Sequence, residues 1–249
     1  MHIWMATAVA ILFLSRSLCY LRGKTTLSMI SILLSLFLFA PDGYVTAYPS
    51  QSRQAIETFE SCKAELKKVL PGATDEELRI VFAIVAPEAG CYNSLTDYFE
   101  TAAVKKGYPS SGSPDYSIGL FQMKPSFAES LENEVAKDSA LKSKYGSRLA
   151  YGSNDTATKR RERVNRLANT NWQICYLALF VDVVKKRTST WGLDDAESKV
   201  RYWSTLYNAG FYLSKPRVEQ RQGVKQFPRG TKEFNYSAVA VELYKALKD

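Results

Sequence analysis

Glu88 follows the apolar stretch RIVFAIVAP at residues 79–87, and it is the residue best placed in this chain for proton transfer. A carboxyl group against low-dielectric surroundings is desolvated, which raises its pKa and keeps a proton available near neutrality. Taken alone, an exposed helix-end glutamate is the blander reading. His2 is the only histidine, and it lies in an N-terminal stretch that export would remove. Ser-His, Cys-His and His-ligated zinc chemistry are therefore excluded for the remaining chain, and acid–base work falls to carboxylates, tyrosines or lysines.

Two further stretches bring polar groups of the right type. PDYSIGLFQMKP at residues 114–125 offers Gly119 for close backbone approach and Gln122, whose amide both donates and accepts hydrogen bonds. Leu120 and Phe121 would anchor this segment to a core while Gln122 faces outward; a satisfied polar core residue is the alternative for Gln122. LYNAG at residues 206–210 ends an amphipathic segment with Tyr207 and Asn208.

The elements that must position these residues read as helices. A capping box, Thr74 with Glu77, opens a helix whose Leu78, Val81, Phe82 and Val85 share one face. Pro87 should end or kink it and leave Glu88 at its C-terminal edge. Residues 91–114 collect Gly107, Pro109, Gly112 and several serines and read as a long loop with at most a short helix. A charged helix is expected over about 125–145, and a central buried one over 171–186, which is apolar nearly all round. Residues 194–210 carry acidic residues in the first turn and Gly210 at the end, and a last helix is expected over about 234–247. No period-two alternation is long enough for a confident strand. The expected fold class is mostly α.

The 249 residues carry a net charge of +8, and a 46% hydrophobic share fits a globular protein. Residues 27–40, LSMISILLSLFLFA, form an uncharged run preceded by Arg22 and Lys24; this resembles the apolar core of a secretory signal, with VTA at 45–47 before the cleavage point. An earlier apolar run spans residues 3–14. The expected organisation is thus a signal peptide or N-terminal apolar segment at 1–47 and one domain at 48–249. An uncleaved segment would instead give membrane association. Loss of Arg16, Arg22, Lys24 and Asp42 lowers the net charge from +8 to +6. The cluster KRRERVNR at 159–166 lacks interleaved aromatics and reads as a solvated helix face, so nucleic acid is not an expected partner. Cys62, Cys91 and Cys175 leave two options open, one disulfide with one free thiol or three thiols.

Glu88 in IVAPEAG, GLFQ at 119–122 and YNAG at 207–210 together resemble the lytic transglycosylases of the soluble type, within the lysozyme-like superfamily. The resemblance spans residues 74–244, with NTNWQICYLALFV at 169–181 similar to the helix between those motifs and Phe234-Asn235-Tyr236 similar to the start of the closing helix. It departs at Ala89, where the family has serine, and at Phe121, where methionine is common. The 29 positions between Glu88 and Ser117 are also more than most members have. The substrate-contacting serine of the family matches Ser117 or Ser113, with Ser117 preferred by its distance from Gly119.

The resemblance implies an exported, periplasmic or cell-envelope enzyme with a saccharide groove between helical lobes. Its partner would be the glycan strands of peptidoglycan, cleaved between N-acetylmuramic acid and N-acetylglucosamine. Glu88 would act alone as acid and base, Tyr207 would hydrogen-bond its carboxyl, and Ser117 or Ser113, Gln122 and Asn208 would contact substrate or shape the floor. No metal or organic cofactor is required. Two alternatives stand beside it: a hydrolytic muramidase pairing Glu88 with Asp115, and a non-catalytic wall-binding scaffold.

Overall fold

In a computed structural model of the chain, residues 43–248 are described, apart from Arg229 and Thr231. The apolar runs at 3–14 and 27–40 lie outside the described residues. Among the described residues, twelve helices and one small hairpin follow in order. The first four are α1 (Tyr44–Ala47), α2 (Pro49–Val69), α3 (Asp75–Ala83) and α4 (Ala86–Cys91). Next come α5 (Ser94–Ser111), α6 (Pro125–Lys137), α7 (Ser139–Leu149) and α8 (Thr156–Leu167). The chain continues through α9 (Thr170–Arg187), α10 (Ala196–Ala209) and α11 (Lys215–Gln222), and after the hairpin ends with α12 (Tyr236–Ala246). The hairpin pairs β1 (Lys225–Phe227) with β2 (Phe234–Asn235), antiparallel. The molecule is mostly helical.

Helix α9 is the axis of the packing. Its residues 173–181 are all buried, and it touches α2, α3, α6, α7, α8 and α10. A helix apolar all round can lie only in a core, so this part of the chain is central by composition alone. Around it, α2 packs on α4, α10 on α12 and α8 on α5. Gly90 lets α4 meet α2, since a Cβ there would stand 2.6 Å from the Gln51 carbonyl oxygen.

Several expectations are corrected. Residues 94–111 form α5 rather than a long loop. Asn93 caps it by accepting from the amides of Leu95 and Thr96, and Gly112 closes it at φ 76°. Pro109 falls in the last turn. The helix expected over about 125–145 is two helices, because Asp138 accepts from the Ala140 and Leu141 amides and starts α7. The basic cluster on α8 is not wholly solvated. Arg163 and Arg166 are each 4% exposed. Arg163 pairs with Glu132 at 2.6 Å, and the Arg166 guanidinium lies 4.2 Å from the Tyr151 ring centroid and 4.5 Å from that of Trp172.

Residues 43–47 pack within the compact unit that runs from Gly43. Tyr44 is fully buried among Tyr48, Phe227 and Phe234, and the Val45 amide donates to Glu242 Oε2 at 3.2 Å. Cys62, Cys91 and Cys175 are free thiols.

Candidate active site

Glu88 sits in the first turn of α4, not at the C-terminal edge of the preceding helix. Helix α3 stops at Ala83, the chain turns through Ile84 and Val85, and Pro87 lies in the opening turn of α4. Proline is tolerated there because the amide it lacks would have no partner in the helix. Of residues 81–90, only Glu88 is not buried. No hydrogen bond or ion pair to its carboxyl is formed among the described residues. Burial against these apolar neighbours raises its pKa from 4.5 to about 7. A helix N-terminus favours a carboxylate by about 0.3–1 kcal/mol, whereas the shift corresponds to roughly 3 kcal/mol. Desolvation wins.

The backbone around Glu88 is fixed from two sides. Gln54 of α2 donates through Nε2 to the Ala89 and Tyr92 carbonyls, both at 3.0 Å, and the Tyr236 hydroxyl donates to the Ile84 carbonyl at 3.2 Å. Cys91, one turn on, stands 3.5 Å from the Tyr44 hydroxyl.

Two cavities meet at this carboxyl. The larger is about 1050 Å³ and the smaller about 550 Å³, and both are lined by Glu88, Ser117, Gln122, Asn208 and Ala209. Four of the polar residues singled out from the sequence are therefore brought together from three separate stretches. Gln122 adopts φ 51°, in the left-handed region, and its Nε2 donates to the Gly119 carbonyl at 2.9 Å. This leaves its amide oxygen available at the cavity wall. The loop carrying it is closed at the base by paired bonds between Ile118 and Met123 and tied outside by Asp97, whose Oδ1 accepts from the Gly119 amide at 2.5 Å.

Tyr207 lines the smaller cavity, but the expected bond to Glu88 is not formed. Its hydroxyl donates to the Phe121 carbonyl at 2.6 Å, and its ring packs on Phe127 and Phe180. Burial, and secondly the nearby Glu88 charge, hold its pKa well above the ordinary value. Tyr207 thus anchors the loop of Gln122 rather than orienting the acid. Ser113 lines neither cavity; it is exposed on the turn after α5.

Asp115 also lies outside both cavities. Its Oδ1 accepts from the Ser126 amide at 2.9 Å and its Oδ2 from the Ser126 hydroxyl at 2.5 Å. It caps the N-terminus of α6, where Lys124 offers no side-chain acceptor. Sequence reasoning missed Arg221 and the exposed Glu233, both in the lining of the larger cavity. Neither gave a signal, since a helix-end arginine and a hairpin glutamate are ordinary surface residues.

No protein-family model, curated protein or solved structure matches the chain. The arrangement itself offers one carboxyl titrating near neutrality, amide and hydroxyl groups converging beside it, and space on either side. Such an arrangement can give and take a proton beside groups able to hydrogen-bond a polar molecule.

Proposed function

We propose that this protein is an exported lytic transglycosylase of lysozyme-like fold that cleaves the glycan strands of peptidoglycan. The observation carrying the reading is Glu88: a half-buried carboxyl raised to about 7, facing two cavities that share Ser117, Gln122 and Asn208 with it.

In its acid form Glu88 protonates the glycosidic oxygen leaving the anomeric carbon of muramic acid. The resulting carboxylate then takes the proton of the same sugar's 6-hydroxyl as that oxygen attacks the anomeric carbon. One bond breaks, one forms, and the carboxyl returns to its starting state. Attack from within one sugar has a high effective concentration and requires no positioned water. A single carboxyl suffices: the proton it gives departs on the leaving sugar, and the proton of the 6-hydroxyl replaces it. The Gln122 amide oxygen and the Ser117 hydroxyl are the groups for sugar hydroxyl or N-acetyl contacts.

The hydrolytic reading requires a second carboxylate across the bond. Asp115, engaged at the start of α6, is unsuited to it. Glu233, on the larger cavity, is the carboxylate that reading would have to use.

Incubating purified protein with peptidoglycan tests the proposal. Glu88→Gln should lower turnover by about 10²–10⁴-fold with the fold intact, because an amide neither gives nor takes the proton. Activity within a factor of about three of the wild type would place the acid elsewhere. An inactive wild-type protein that still binds the polymer would support the scaffold reading.

A further inference from the structure

Among the buried residues of α9, only Gln173 brings an amide, and it is 0% exposed. Its Nε2 donates to the Ile118 carbonyl at 2.6 Å and to the Leu167 carbonyl at 2.8 Å, while its Oε1 accepts from the Phe121 amide at 2.8 Å. The side chain reaches into the loop so closely that a Cβ on Gly119 would stand 2.2 Å from Nε2, and Gly119 holds φ 72°. The loop is folded around this amide.

We propose that Gln173 is a positioning residue of the site, setting from within the core the depth at which Ser117 and Gln122 face Glu88. This rests on the proposed glycan-cleaving function. The clamped atoms, Ile118 O and Phe121 N, lie between Ser117 and Gln122, and both of those residues line the two cavities. Of the remaining ties, the Met123 amide shares the Ile118 carbonyl and closes the base, Asp97 holds the outside, and Tyr207 takes the Phe121 carbonyl. None replaces the contact to the Phe121 amide. An apolar side chain at position 173 would suit the rest of α9, but it would leave the Phe121 amide of the loop and the Leu167 carbonyl at the end of α8 without those partners. The loop would then move toward solvent to regain them, widening the gap to Glu88 and admitting water beside its carboxyl.

The test compares wild type, Gln173→Met and a control, Val183→Ala, in the full chain, using purified soluble peptidoglycan strands as substrate. Methionine matches the length and removes all three bonds. Val183 is buried in the same helix ten residues away, about 15 Å along its axis, and lines neither cavity. Gln173→Met should retain its helical spectrum and lose ~10–100-fold in kcat, with KM within about threefold, as expected for misplaced site groups. Its activity limb near pH 7 should move down by roughly one pH unit as Glu88 becomes hydrated. Val183→Ala should lose thermal stability without moving kcat or the pH profile. Amide exchange at Phe121 should quicken at least about tenfold in Gln173→Met only. Wild-type kcat and pH profile in Gln173→Met, or kcat losses merely parallel to stability in both variants, would overturn the proposal. If the wild type does not cleave the strands, the functional reading fails by itself, and unchanged Phe121 exchange would still sink the clamp.

Discussion

Glu88 carries a conflict between stability and chemistry. Its pKa in the folded state is raised from 4.5 to about 7 by burial, so between those values the folded protein holds a proton that the unfolded chain has released. Stability therefore falls as pH rises through this window and levels off above about pH 7. Glu88→Gln removes that penalty. The variant should match the wild type near pH 4 and exceed it by up to about 3 kcal/mol at pH 8, read from denaturant midpoints at the two pH values. Equal stability at both would mean that Glu88 is not desolvated. The same titration governs activity: kcat/KM should fall as pH rises through about 7, when the free enzyme loses its acid. A single carboxyl gives one limb in this range, whereas a second, ionised carboxylate would add an acidic limb and make the profile a bell. The apolar run before Glu88 made this residue legible in the sequence. The partner of Tyr207 was not, because a tyrosine beside an asparagine and a glycine does not reveal which carbonyl its hydroxyl will meet 86 positions away.

Among the elements, those with strong local signals were legible and those depending on tertiary context were not. The capping box at Thr74 and the largely apolar α9 stand where they were expected. The sequence of α5 reads as a loop because its composition is rich in breakers and only Val104, Tyr108 and Pro109 are buried, so no apolar stripe marks it. The burial of Arg163 and Arg166 depends on Glu132, Tyr151 and Trp172, none of which lies on α8. Asp115 illustrates the functional consequence. Since it caps α6, Asp115→Asn should keep near-normal activity and cost no more than about 1 kcal/mol, because asparagine also caps. A loss of several orders of magnitude in turnover would instead make Asp115 part of the chemistry. Residues 43–47 make a second case. A chain beginning at Tyr48 lacks Tyr44, whose buried ring packs on the hairpin residues Phe227 and Phe234 beside the larger cavity. Compared with a chain beginning at Gly43, it should be about 2–4 kcal/mol less stable by denaturant unfolding. Equal midpoints would show that residues 43–47 are dispensable to the fold.

At the scale of the whole molecule, the helices converge to place one titrating carboxyl between two unequal cavities, with the loop of Gln122 as their common wall. The central claim is that this carboxyl works alone on peptidoglycan. A working pair of carboxylates delivers water to the anomeric carbon and leaves a reducing sugar, whereas a lone acid–base serves internal attack by the 6-hydroxyl. Mass spectrometry of the fragments released from purified peptidoglycan separates the two outcomes, because the internally closed end is lighter by one water. The account predicts fragments ending in 1,6-anhydro-muramic acid, unchanged in Glu233→Gln; reducing muramic ends from the wild type, abolished by that substitution, would contradict it.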